Sequence, residues 1–380
     1  MDRIKLLIVA GEASGDVHAA NIVRELKKTC ELEISGSGGP RLAAEGQRQL
    51  CTVQEMAAIG FDQAIRKIPM LLRLAKSFER EIAANKPDLI LTVDYTGFNL
   101  RLGKRLHKYG IPIVQFVSPQ FWIWHYSRVK SLRKYFSKVL CILPFEEEML
   151  KKEGVNGVYI GNPVTDGLHF KYINKDDFYT AHNLDPAKLT IGLVPGSRRN
   201  EIKLLMPVII EAAKRVNISE VQFVLARADS VPEETLLSHI PEGLKVDILV
   251  GETHDIMKYS DILWICSGTA TLEAAVIGTA MIILYKSSAF NVFIIKLLTS
   301  LRMIGMPNII SGRYVVPEVI GRDCTPENLV KKHYEMLPVL DGYRRDLAHI
   351  SEMFAGRTPI KTAADEILKS INTATEQINE

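Results

Sequence analysis

Cysteine is scarce and scattered. The five residues, Cys30, Cys51, Cys141, Cys266 and Cys324, include no C-x-x-C pair. That argues against a disulfide framework or a cysteine-based metal site and for a reducing compartment. The nine histidines contain no H-x-x-x-H or H-E-x-x-H pair, so no metal is expected. Charge of one sign is also lacking: 47 Lys and Arg against 44 Asp and Glu leave a net +3, and no global field calls for nucleic acid. No stretch reaches the roughly 20 apolar residues of a membrane span. The nearest, Leu272–Tyr285 and Ala289–Leu301, are broken by Glu273 and by Asn291 and Lys296. The opening MDRIKLLIVAGEASGD moves straight into a strand and a turn, so a signal peptide is not expected. Short repeats and low-complexity tracts are missing too.

What is present is a chain of 380 residues, 47% hydrophobic and 24% charged, enough for two domains with ample cores. Apolar strand candidates alternate with helical segments. The first series is Lys5–Ala10, Leu32–Ser35, Leu89–Asp94, Ile113–Val117 and Val139–Leu143. The second is Thr190–Val194, Val221–Ala226, Val246–Val250, Ile262–Ile265 and Met281–Tyr285. The alternation predicts an α/β fold with two parallel, Rossmann-type layers in tandem. The polar stretch Gly161–Pro186, with its Asn-Pro and Asp-Pro steps, reads as the linker and first helix of the second domain.

The stretch around which the chain is organised is TIGLVPGSRRNEI, Thr190–Ile202. An apolar run ends in Pro195, Gly196 and Ser197, and Ile202, Leu205, Met206 and Ile209 follow at helical spacing. Unpaired N–H groups at a helix start, the positive end of its dipole and Arg198 make a seat for phosphate. An ordinary strand-turn-helix corner with a solvated Arg-Arg pair fits the pattern equally well. A second such turn is ICSGTATLEAA, Ile265–Ala275. Ser267, Gly268 and Thr269 start a helix, and Glu273 lies one turn in, placed to accept two ribose hydroxyls. An N-capped helix with a dipole-stabilising Glu is the alternative. Two such turns in one strand series favour a nucleoside-diphosphate site.

In the first half, GEASGD (Gly11–Asp16) follows the first strand. It is not G-x-G-x-x-G, so a dinucleotide site has weak support. Glu12, Ser14 and Asp16 are more polar groups than one helix cap needs. Asp94 closes the strand PDLILTVD, where a carboxylate at a strand's carboxyl end is either a ligand-facing base or a turn residue. Phe61–Phe78 carries Arg66, Lys67, Arg73 and Lys76 among apolar residues, and Phe121–Lys138 mixes Trp122, Trp124 and Tyr126 with Arg128, Lys130, Arg133 and Lys134. Both suit a lipid surface, or a core-facing helix with snorkelling cations. The aromatics of the second also suit single-stranded nucleic acid, which ranks below a lipid or sugar surface for want of a wider positive field. Met306–Pro317 holds Asn308 and Arg313 after the last strand candidate, where it could close over a ligand.

Eight motifs in order resemble the bacterial lipid-A-disaccharide synthases. They are AGEASGD (Ala10–Asp16), GGPRLAAEG (Gly38–Gly46), PDLILTVDYTGFN (Pro87–Asn99), VSPQFWIW (Val117–Trp124), LPFE (Leu143–Glu146), LVPGSRRNEI (Leu193–Ile202), SGTATLE (Ser267–Glu273) and MPNIISGR (Met306–Arg313). The family often has Pro where Thr96 stands and Gly-His where Gly161 and Asn162 stand.

The resemblance implies an inverting glycosyltransferase of GT-B architecture, two Rossmann-like domains facing across a cleft. The expected domains are 1–165, completed by helices in 345–380, and 166–344. It implies Asp94 as general base and Arg198 as diphosphate ligand. Gly196, Ser197, Ser267, Gly268, Thr269 and Glu273 belong to the UDP half. Glu12, Ser14, Asn308 and Arg313 are expected at the cleft. The implied substrates are UDP-2,3-diacylglucosamine and 2,3-diacylglucosamine 1-phosphate (lipid X), joined in a β-1,6 link with release of UDP. No cofactor and no nucleic acid are expected. The expected location is cytoplasmic, peripheral on the inner leaflet of the inner membrane, with a second copy of the chain as a candidate partner. The competing readings are another UDP-sugar transferase or epimerase and a non-catalytic lipid-binding module.

Overall fold

The computed structural model describes residues 3–57, 68–122, 126–217, 219–286 and 303–379. The chain divides into two compact units, 1–166 with 356–380 and 167–355.

The first unit is built on seven parallel strands: β1 (Arg3–Ala10), β2 (Glu31–Gly38), β3 (Arg48–Thr52), β4 (Leu89–Val93), β5 (Ile113–Phe116), β6 (Lys138–Cys141) and β7 (Gly157–Tyr159). Their order is β3-β2-β1-β4-β5-β6-β7. Side chains alternate across a strand, and both faces are covered, so β1 is apolar and buried from Leu6 to Ala10. Leu6, Ile8 and Ala10 pack under the helix Ala13–Leu26 with Ala363, Ala364 and Ile367 of the C-terminal helix Pro359–Asn379. Leu7 and Val9 face the other way, into a core with Phe78, Ile82, Phe98 and Leu102. Lys138 Nζ meets Glu366 Oε2 at 2.7 Å, tying β6 to the C-terminal helix.

The second unit has six parallel strands: β8 (Leu189–Val194), β9 (Val221–Arg227), β10 (Asp247–Val250), β11 (Ile262–Cys266), β12 (Met281–Tyr285) and β13 (Glu318–Ile320), in the order β10-β9-β8-β11-β12-β13. Its core joins Leu193 and Trp264 to Ile202, Met206 and Ile209 of the helix Arg199–Ala213. The helix Leu340–Phe354 belongs here: Ser351 Oγ donates to Val276 O at 2.7 Å. The return into the first unit therefore begins at Gly356, where 345 was expected.

In each sheet the strand order reverses once, between β1 and β4 and between β8 and β11. A crevice opens beyond the carboxyl ends of the strands at such a reversal, because the two following crossovers leave in opposite directions. Asp94 follows β4 and Gly11 follows β1; Pro195–Arg198 follows β8 and Ser267–Thr269 follows β11. Of the two basic amphipathic stretches, Arg66, Lys67 and Trp124 lie outside the described residues, as does Ala289–Leu301. Arg73 and Lys76 are exposed on the helix Ile68–Asn85. No described helix is long and apolar enough to cross a membrane.

Candidate active site

In the first unit, β4 ends in a backbone conformation that L-residues seldom adopt. Asp94 and Tyr95 have φ +46° and +41°, and Val117, just past the neighbouring β5, has φ +69°. Aspartate tolerates this region, but a β-branched valine does so only under constraint, at about 1–3 kcal/mol. Asp94 N–H donates to Phe116 O at 2.9 Å, the last rung of the β4–β5 ladder. Its carbonyl accepts from Asn99 Nδ2 at 2.7 Å and from Gln115 Nε2 at 3.1 Å. Burial pushes the Asp94 carboxyl up from its ordinary pKa, opposed by a hydrogen bond from the Tyr95 backbone. The Tyr95 ring lies over Gly11, where a Cβ would come within 2.4 Å of it, and Tyr95 Oη donates to Met56 O at 3.0 Å.

The GEASGD turn divides its polar groups. Asp16 is buried, and its carboxylate accepts the backbone N–H groups of Gly39, Arg41 and Leu42 at 2.7, 3.0 and 3.0 Å. It caps the short helix Pro40–Ala44 rather than its own. Glu12 and Ser14 are exposed at the start of the helix Ala13–Leu26. After burial, the Glu12 charge is the second cause raising the Tyr95 pKa, which places Glu12 beside the β4 turn.

In the second unit, Gly196 has φ +102°. A Cβ there would lie 2.4 Å from Glu201 Oε2. Glu201, in the first turn of the helix Arg199–Ala213, accepts Arg198 N–H at 3.2 Å and Arg198 Nη1 at 2.8 Å. A helix-start N–H is thus satisfied by the third helical residue, and the same carboxylate steers the arginine. Arg198 nevertheless remains 83% exposed. Beside it across β8–β11, Gly268 is exposed at φ +152° and Thr269 is exposed at the first position of the helix Thr269–Ile277. Ser267 Oγ donates to Ile304 O at 3.4 Å. Thr271 Oγ1 donates to Gly268 O at 2.8 Å, bracing the turn. Glu273 is partly exposed, with Oε2 3.7 Å from His254 Nε2. His254 Nδ1 accepts His169 N–H at 3.2 Å, so the proton on the other nitrogen faces Glu273. The Glu273 carboxylate raises the His254 pKa.

Two residues expected at a ligand cleft have other work. Asn308 is fully buried. Its Oδ1 accepts Val315 N–H at 2.7 Å and Val316 N–H at 3.0 Å, and its Nδ2 donates to Val316 O at 2.9 Å and Glu318 Oε1 at 2.8 Å. Its hydrogen-bonding capacity is spent on the loop that feeds β13, so it brackets that loop instead of meeting a ligand. Arg313 makes a bidentate pair with Asp346 at 2.7 and 3.1 Å within its own unit. The segment does not follow the last strand, since β13 comes after it. Among the described residues, no group of three or more His, Cys, Asp or Glu side chains is placed to hold a metal ion.

The lipid-A-disaccharide synthetase family matches residues 6–371 of the chain. The chain belongs to this family. It is 34% identical to the lipid-A-disaccharide synthase of Myxococcus xanthus over 336 residues, covering 86% of each chain. It is 32% identical to that of Trichlorobacter lovleyi over 375 residues, covering 97% of each. As a lipid-A-disaccharide synthetase family member it is a glycosyltransferase of lipid A biosynthesis. Solved structures show the same two-sheet fold. The calicheamicin glycosyltransferase CalG4 superposes with TM-score 0.64 at 12% identity, covering 98% of this chain and 99% of that one. A UDP-GlcNAc 2-epimerase from Neisseria meningitidis bound to UDP-GlcNAc gives 0.62 at 16%, covering 97% and 100%. The fold is that of the GT-B class, shared by transferases and epimerases.

Glu201 and Asn99 fall inside motifs of the resemblance without a role of their own there, whereas His254 and Gln115 carry no signal in the sequence. Glu146 also organises its surroundings through its carboxylate, and is 1% exposed at the head of the helix Glu146–Lys152. It accepts Trp122 Nε1–H and Leu143 N–H, each at 3.2 Å. Burial pushes its carboxyl up to about 7. Only LPFE, already part of the resemblance, pointed to it.

Proposed function

We propose that the reaction joins UDP-2,3-diacylglucosamine to 2,3-diacylglucosamine 1-phosphate, giving the β-1,6-linked disaccharide 1-phosphate and UDP with inversion at the anomeric carbon. The Asp94 carboxylate takes the proton of the acceptor 6-hydroxyl as that oxygen bonds to the donor's anomeric carbon. The bond from that carbon to the β-phosphate breaks, and UDP leaves with the electron pair. A carboxylate is ionised at neutral pH and can accept the proton. Negative charge growing on the leaving phosphate is met by Arg198 and by the helix starts at Gly196–Ser197 and Ser267–Thr269, while Glu273 takes the ribose hydroxyls. Preorganised donors of this kind need no rearrangement during the reaction, and the scheme calls for no cofactor.

The observation that carries this reading is the placement of Asp94 at the strand-order reversal of one sheet and of the paired GSRR and SGT turns at the reversal of the other. The helix Arg128–Tyr135 buries Val129 and Leu132 and exposes Lys130, Arg133 and Lys134. With Arg73 and Lys76 it offers a basic face to an anionic inner leaflet, near which acylated substrates would be drawn. The enzyme would then work as a cytoplasmic, membrane-peripheral protein.

The test is direct incubation with both substrates, followed by mass detection of the disaccharide. Asp94→Ala should abolish product and leave UDP affinity near normal. Product formation by that variant would remove Asp94 from the mechanism. Charge reversal at Lys130, Arg133 and Lys134 should release the protein from phosphatidylglycerol vesicles; unchanged sedimentation would rule out that face.

A further inference from the structure

Gln115 is a polar side chain in the middle of β5, a four-residue strand that is buried along its whole length. Its amide is locked in one orientation. Thr92 Oγ1 donates to Gln115 Oε1 at 2.7 Å. On the other side, Nε2 shares its two N–H groups among Asp94 O, Phe116 O and Val117 O, each at 3.1 Å. A flipped amide would set an oxygen against three carbonyl oxygens, so only this orientation is satisfied.

These three carbonyls are where β4 and β5 leave the ladder. Two of them belong to residues at positive φ, Asp94 and Val117. A backbone turned out of a ladder loses its partner there and needs another donor. Asn99 Nδ2 supplies a second one to Asp94 O at 2.7 Å and reaches Val93 O at 3.3 Å. Asn99 Oδ1 is buried with no partner among the described residues. A group that served packing alone would be better replaced by an apolar side chain. The polar cluster is kept where it fixes the direction in which β4 ends.

We infer that Gln115 is a positioning residue for glycosyl transfer: oriented by Thr92 and aided by Asn99, it holds the left-handed Asp94–Tyr95 step that presents the Asp94 carboxylate. The inference rests on the reading of Asp94 as the base. It predicts a loss in the chemical step and not in substrate binding, since none of the three side chains needs to touch a substrate.

The test is steady-state kinetics on the full chain with both lipid substrates, UDP titration calorimetry, and circular dichroism to confirm folding. Displacing a reacting group by about 1 Å costs on the order of 100-fold. Q115M, similar in size but without a donor, should lower kcat by roughly 10- to 100-fold. Both KM values should stay within about threefold, and UDP affinity should be unchanged. T92V, which frees the amide to turn, should lose roughly tenfold in kcat, and T92S, which keeps the hydroxyl, should recover most of that loss. A folded Q115M with kcat within about twofold of the parent overturns the inference. If Q115M does not fold, equal rates for T92V and T92S overturn it instead. D94N separates the two claims. An active D94N defeats the base itself, whereas an inactive D94N beside a fully active Q115M defeats only the positioning role.

Discussion

Gly196 and Glu201 compete for one volume, since a Cβ on the glycine would sit 2.4 Å from the carboxylate that steers Arg198. Gly196→Ala must therefore move Glu201 and also strain a backbone at φ +102°. A stability loss of about 1–3 kcal/mol is expected. UDP affinity should fall with it, because the helix start and Arg198 are displaced together. Thermal melts and calorimetry check this; an alanine variant with parental UDP affinity would separate the loop's shape from ligand binding.

In the proposed reaction, Arg198→Ala would remove one donor to the leaving phosphate while leaving the fold intact, because the side chain is largely exposed. The barrier should rise by about 3 kcal/mol, or roughly 100-fold in kcat. Arg198→Lys should recover only part, since an ammonium lacks the planar fork. Single-turnover rates distinguish the two variants.

The pH profile should show the Asp94 environment. Its carboxyl is raised by burial, so with Asp94 as the proposed base, proton acceptance fails at a higher pH than an ordinary aspartate of about 3.9 would allow. The acid limb of kcat/KM, which reports the free enzyme, is expected above that value. A rate that stayed level down to about pH 4 would contradict the assignment.

Asn308 offers a stability prediction. Asn308→Ala leaves Val315 N–H and Val316 N–H buried without acceptors. The expected cost is on the order of 3 kcal/mol. Asn308→Asp should do no better, because it turns an oxygen toward Val316 O and the Glu318 carboxylate. Denaturant midpoints measure both. Any activity lost by these variants should track unfolding.

Glu146 gives a pH-dependent stability with a defined sign. Its folded pKa of about 7 lies above the unfolded value, which is about 4.3. The unfolded chain releases this proton first, so the carboxyl's contribution is full below the unfolded pKa and declines as pH rises through the folded one. Glu146→Gln removes the titration and turns an N–H₂ toward one of two donors, Trp122 or Leu143. The variant should melt below the parent at pH values near the unfolded pKa, and the gap should narrow as pH passes the folded pKa. A gap that widened would reverse the assignment.

All ten strand segments read from the sequence exist: nine are largely buried apolar runs bounded by turns, and the tenth, β10, is a partly exposed edge strand legible from its Ile-Leu-Val run. The strands that were not legible, β3, β7 and β13, lie at sheet edges, as does β10, which was legible only because its last three residues are all apolar. There one flank is unpaired and no long apolar run is required. RQLCT in β3 is the clearest case. At the site, the turns carrying Asp94 and Arg198 were legible because glycine, proline and charge interrupt an apolar pattern. Asn308 misled, since a motif shared with a family does not say whether an amide points at ligand or at its own loop. Gln115 was invisible, since one polar residue in a strand acquires meaning only once β4 and β5 are neighbours.

The C-terminal helix Pro359–Asn379 fills the core of the first unit with Ala363, Ala364, Ile367 and Ile371. During synthesis, the residues that begin the chain must wait for those near its end, while the segment 167–355 can settle as soon as it emerges. The half that the ribosome makes first is the half that matures last. Until then, the apolar side of the helix Ala13–Leu26 stays uncovered, as a surface that chaperones or premature association would meet.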